Sequence, residues 1–291
     1  MSKQQKMRTN SIYAPLRYAA TRPFAQRLGT EFIEQVRLGK AERHKFISEK
    51  LMFSIQSSIA QLGRPAGPGP AQAEITNVQT FGSFMGGGAL IFDLSDHVPT
   101  LLSTDVSTVP LWALPAIADS FYLHFGRNDK LEQDDVSIEG VFVTWFKPKD
   151  EPSRLILDFV TKTQFNRTDF WLVEAGEPFF GCSVEISNPD LSVRDALERS
   201  VHQIVENNKA VEAQIEELIK RMEALHGKAV VSVPTQVHDL TTKLPVLRRG
   251  LALVANSLLY LGATRAGDTH QPSSQPGASS SSGFSASVIV C

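Results

Sequence analysis

Apolar side chains recur along this chain at two different periods, and the change of period divides it into regions. Near the N-terminus Phe24, Leu28, Phe32 and Val36 fall four apart, and Ile47, Leu51, Ile55, Ile59 and Leu62 continue in the same manner. Such a stripe belongs to amphipathic helices, so residues 1–62 read as a helical segment. The stretch 63–70 then holds three glycines and three prolines in eight residues, and neither a helix nor a strand ladder propagates through it. Residues 63–75 read as a linker.

From 76 to 189 the period falls to two. Short β-prone runs at 89–94, 121–125, 141–146, 155–161, 170–173 and 179–186 are separated by Gly, Pro, Asn and Asp, which suggests a mostly antiparallel sheet. Phe121, Leu123 and Phe125 share one side and Tyr122 and His124 the other; Val141, Val143 and Trp145 oppose Phe142, Thr144 and Phe146. The prolines at 99, 110 and 115 predict an irregular path between the first two runs. Asp190 is the expected N-cap of a helix over 190–226, and a second helix is expected over 245–261, from Pro245 to Gly262. Residues 76–263 therefore read as one α+β core domain. The tail 264–291 is rich in Gly, Ser, Pro and Ala and reads as disordered.

The 190–226 segment carries the most regular pattern. Leu197, Val201, Ile204, Asn208, Val211, Ile215, Leu218, Met222 and Leu225 are spaced alternately by four and three, a heptad run. With Val201, Asn208, Ile215 and Met222 at a, Asn208 would set the register of a homodimeric coiled coil. Val205 and Ile219 widen the stripe, which also suits packing within one chain.

Charge changes the picture of the N-terminal helices. Residues 1–62 carry 11 basic and 4 acidic groups, residues 76–189 carry 7 basic and 16 acidic, and residues 190–263 are balanced. Arg17, Arg22, Arg27, Arg37 and Arg43 could meet nucleic acid or an acidic protein partner, or lie on the acidic sheet of their own chain. The formal net charge of −2 excludes a uniformly basic nucleic-acid coat. Cys182 and Cys291 are too few for a disulfide scaffold, and the apolar run 251–261 is too short for a membrane span, so a cytoplasmic protein without a transmembrane segment is expected.

Candidate chemistry is sparse. Asp93, Asp96 and His97 could ligate a metal, and His97, His124 and Asp158 could serve acid–base catalysis if the fold brings them together. No phosphate loop, dinucleotide fingerprint, nucleophile elbow or zinc-protease helix occurs, and no cofactor is implied. The expectation is an interaction or regulatory protein associating through the 190–226 helix. A hydrolytic, metal-assisted enzyme is the alternative, and a nucleic-acid binder the lesser one.

Overall fold

The computed structural model of the chain describes residues 11–21, 27, 31, 34, 77, 80–133, 136–146, 153–163, 179–185, 188, 190–226, 240–268 and 287–290. Most of the predicted basic segment, the Gly/Pro linker and the run 170–173 lie outside the described residues. Among the described residues seven strands form one sheet: β1 (Leu90–Asp93), β2 (Ser120–His124), β3 (Glu132–Gln133), β4 (Val136–Phe146), β5 (Arg154–Thr163), β6 (Phe179–Glu185) and β7 (Ser287–Val290). Their order is β6-β5-β4-β2-β1-β7, with β3 paired to β4 beside this path. Only β1 and β2 are parallel, in a register that sets Asp93 beside His124; all other pairs are antiparallel. The helices are α1 (Ala14–Thr21), α2 (Val98–Ser103), α3 (Val193–His226) and α4 (Leu240–Asp268). The class is α+β.

Alternation along the strands sorts the core into two clusters. Phe121, Leu123, Val141, Val143, Leu157 and Phe159 turn to one face and pack with Val193 and Ala196 of α3 and Leu251, Val254 and Leu258 of α4. Ile91, Tyr122, Phe142 and Val160 turn to the other, under Ala14 and Tyr18 of α1 and Phe81 and Phe84 of a helical stretch at 80–86. Because both faces are covered, all five positions of β2 are buried. Each fully buried aliphatic or aromatic side chain contributes about 2 kcal/mol of transfer free energy.

Several boundaries differ from the sequence reading, each for a local reason. Helix α3 begins at Val193, and its cap is Ser192 in place of Asp190: Ser192 Oγ accepts the Asp195 N–H at 3.2 Å and donates to Asp195 Oδ2 at 2.8 Å. The carbonyls of Val109 and Ser107 accept the next two N–H groups, of Val193 and Arg194. Helix α4 runs from Leu240 through Pro245 and past Gly262 to Asp268. Gly262 is a packing residue and not a cap, since a Cβ there would overlap the Pro115 ring. The path between β1 and β2 contains α2, whose Pro99 sits in the first turn where a missing N–H is harmless. The tail supplies β7, pairing Ser287–Val290 with Leu90–Asp93; backbone hydrogen bonding to an open sheet edge depends little on composition.

By length and composition Leu244–Thr264 would suffice to cross a membrane, yet 61% of this stretch is buried inside the protein, where it serves as the core helix. Asn256 within it is buried and donates from Nδ2 to the carbonyls of Leu101 and Thr104, tying α4 to the end of α2.

Candidate functional site

Polar side chains gather at one end of the face covered by α1. Strands β1 and β2 run in the same direction, so Asp93 and His124 arrive side by side at their C-terminal ends. Tyr13, just before α1, donates its hydroxyl to Asp93 Oδ2 at 2.9 Å and sets its ring edge-on to His124, with centroids 5.0 Å apart. Ser95 donates to Asp93 Oδ1 through its hydroxyl at 2.7 Å and its backbone N–H at 3.1 Å. Burial alone would raise the Asp93 carboxyl, but the Ser95 hydroxyl and N–H, the Tyr13 hydroxyl and the neighbouring His124 together hold it below the usual carboxylate range.

A β-bulge adds the next member. Ile138 and Val141 both face α4, three residues apart, which regular alternation forbids; the ladder slips between Ile138 and Gly140. Glu139 is thereby turned toward α1, where Arg17 donates to its Oε1 at 2.6 Å. Their side chains are only 16% and 7% exposed. Gly140 follows because a Cβ there would collide with Tyr122 Oη.

Asp158, on β5, lies on the same face but two strands from His124, roughly 10 Å by strand spacing alone. It accepts a hydrogen bond from Thr80 Oγ1 at 2.8 Å. Burial pushes its carboxyl up to about 6, against the lowering effect of Thr80.

The predicted catalytic set is thus divided. His97 lies in a 3-10 turn with its ring 5.4 Å from that of Tyr260 in α4, while on the other face His124 packs against Tyr13 and Asp158 is bonded to Thr80. Asp96 is exposed and Asp93 is engaged by Tyr13 and Ser95, and among the described residues no three His, Cys, Asp or Glu side chains are placed to share a metal ion. Of the arginines offered for nucleic acid or for the acidic sheet of the chain itself, Arg17 is half-buried and paired with Glu139 of that sheet. Arg27 is exposed; Arg22, Arg37 and Arg43 lie outside the described residues. Along the heptad, Leu197 is half-buried and Val201 buried in the core, whereas the side chains of Ile204, Asn208, Val211, Ile215, Leu218, Met222 and Leu225 lie outside the described residues.

Tyr13, Ser95, Glu139 and Thr80 escape a reading of the sequence. Tyr13 and Arg17 stand four apart, the spacing of one helix face, and Ile138 and Val141 three apart in a strand already imply the bulge. Nothing local names their partners.

A second feature lies on the opposite side, where the loop 104–107, the start of α3 and α4 enclose a groove of about 190 Å³. Its walls include Val106, Leu197 and Ala252, and its rim holds charges already matched: Arg248 grips Glu198 through two hydrogen bonds at 3.0 and 2.8 Å, and Arg194 donates to Ser107 Oγ. The hydroxyl and N–H of Ser107 hold the exposed Asp105 carboxyl below its usual range, despite slight desolvation.

Chemically, the first arrangement binds α1 to the sheet, and the second presents a matched polar rim around an apolar hollow. Neither assembles a nucleophile, base and oxyanion donor around an open position. No curated protein and no solved structure matches the chain. Residues 92–284 match the AcrVA2-like family, described as Anti-CRISPR type V subtype A2, and this stretch takes in most of the sheet together with α3 and α4. Since the match spans well over half of the 291 residues, the chain belongs to the AcrVA2-like, Anti-CRISPR type V subtype A2 family.

Proposed function

We propose that the chain is a non-enzymatic inhibitor of a type V CRISPR system, acting by association with a protein or nucleoprotein component of that system. The match over residues 92–284 carries this reading. The titratable groups support it: Asp93, Glu139 and Asp158 are engaged by Tyr13, Arg17 and Thr80 inside the fold, and His97 stands apart from His124.

Helix α3 is the associating element in this proposal. Its described buried side chains fall between Val193 and Val201, whereas Glu206, Ala213, Glu217, Lys220, Arg221 and Ala224 further along are exposed. At 34 residues the helix is about 50 Å long, enough to present a surface beyond its anchored start. A homodimer through Asn208 and its heptad neighbours belongs to the same proposal, as does a cytoplasmic, reducing setting for a chain with two cysteines.

The test is a titration of guide-loaded type V effector with the purified full chain, reading target cleavage. Inhibition that saturates near one chain per effector supports association. Complete inhibition at a small fraction of the effector concentration, progressing with time, would instead establish turnover and return the enzyme reading. Light scattering at micromolar concentration, on the wild type and Asn208→Leu, checks the homodimer.

A further inference from the structure

Two large apolar side chains stand out in solvent among the described residues, Ile12 and Trp112, the latter 67% exposed. Trp112 is firmly held. It sits in a 3-10 turn, Leu111–Ala113, between Pro110 and Pro115, with Leu111 and Leu114 buried on either side. The Leu111 N–H donates to the Leu191 carbonyl at 2.9 Å, the Ala113 N–H to that of Pro110 at 3.0 Å, and Pro110 bridges to Ser192 just before α3. The backbone is therefore clamped to the start of the long helix while the indole points outward. A side chain presented in this way has little conformational entropy left to lose on binding.

Beside the turn the balance of charge is acidic. Residues 104–119 and 188–198, which run alongside each other here, hold Asp105, Asp119, Asp190, Asp195 and Glu198 against Arg194; Glu198 is matched by Arg248 of α4 and Asp105 lies by Arg194, so Asp190 and Asp195, flanking the Leu191–Ser192 backbone that holds the Trp112 turn, carry the local negative charge. An aromatic centre with an acidic rim suits a basic protein surface: a cation stacks on the indole face, and the rim steers the encounter. The same rim repels nucleic acid.

We propose that Trp112 and its acidic surround are the contact for an Arg- or Lys-bearing patch on the protein that this chain inhibits, an inference that rests on the association reading above. Trp112 lies inside the family-matched stretch, and the core is complete without its side chain.

The experiment compares the full wild-type chain with Trp112→Ala, Trp112→Phe, Asp190→Lys and Ile12→Ala for relief of plasmid interference in cells carrying a type V system, with thermal melts of each purified chain. Trp112→Ala should lose about tenfold or more of the relief at an unchanged melting temperature. Trp112→Phe should keep part of it, Asp190→Lys should lose severalfold, and Ile12→Ala should match the wild type. Equal relief by wild type and Trp112→Ala overturns the contact while leaving the inhibitor reading intact. An inert wild-type chain overturns that reading and the contact with it. Should Trp112→Ala melt lower, Asp190→Lys decides: retained relief overturns the proposal and lost relief supports it.

Discussion

The two faces of the sheet are held by different physics. Beneath α3 and α4 the contact is almost wholly aliphatic and aromatic, from Phe121 and Val143 to Leu253 and Leu258. On the other face the apolar patch is smaller, and its margin is a set of polar pairs, part-buried for Tyr13 with Asp93 and Arg17 with Glu139 and fully buried for Thr80 with Asp158. Area burial is insensitive to pH and tolerant of small shifts. A largely desolvated ion pair is neither, because removing one member leaves the other poorly solvated. The first face sets whether the domain folds, and the second sets whether the N-terminal helix stays docked.

The largest effect is expected on the aliphatic face. Leu253→Ala, at a fully buried position, should cost about 2–5 kcal/mol and lower the denaturation midpoint of the whole domain, with no dependence on pH. A loss below about 1 kcal/mol would show that α4 is not the core helix. On the other face Arg17→Ala should cost about 3 kcal/mol by removing the cation that faces the buried Glu139 carboxylate. Amide exchange should rise in α1 well before it rises in β4, and adding Glu139→Gln should recover part of the loss. Uniform loss of protection across both faces would contradict a separately docked helix.

Asp158 makes the contrast measurable by pH. Its folded value near 6 lies above the ordinary aspartate value, so the folded state holds a proton that the unfolded chain releases first. Stability should therefore fall as pH rises from about 4 through 6, by up to about 3 kcal/mol, and stay reduced above. Asp93 works in the opposite sense: held low, it adds stability that is lost only as pH falls through its folded value. Urea midpoints from pH 4 to 8 should show the decline in the wild type and a flat profile in Asp158→Asn; a persisting slope in that variant would refute the assignment. The smallest of these effects is at the helix cap, where Ser192→Ala should cost about 1 kcal/mol at either end of the pH range.

Much of this is legible in the chain itself. The alternation through Phe121–Phe125 and Val141–Phe146 separates the residues that the two clusters later claim, because side-chain direction in a strand depends only on position. The helical pattern after 190 anticipates α3, whereas nothing in the run 251–261 names Leu101 and Thr104 as the partners of Asn256. Local signals served less well at ends: Asp190 and Gly262 both resemble caps, yet the first yields to Ser192 and the second is reserved for the approach of Pro115.

What the sequence determined alone is therefore what depends on near neighbours: period, face, helix position, and the split between a basic N-terminal segment and an acidic sheet. What only the tertiary structure decided is which polar groups meet. Arg17 and Glu139 are 122 residues apart, Thr80 and Asp158 are 78 apart, and the parallel ladder that places Asp93 beside His124 closes over the whole connection containing α2. No periodicity encodes such pairings, because each depends on loop closure and sheet order. The same closure puts His97 on one face and His124 and Asp158 on the other, and clamps Trp112 outward against the start of α3.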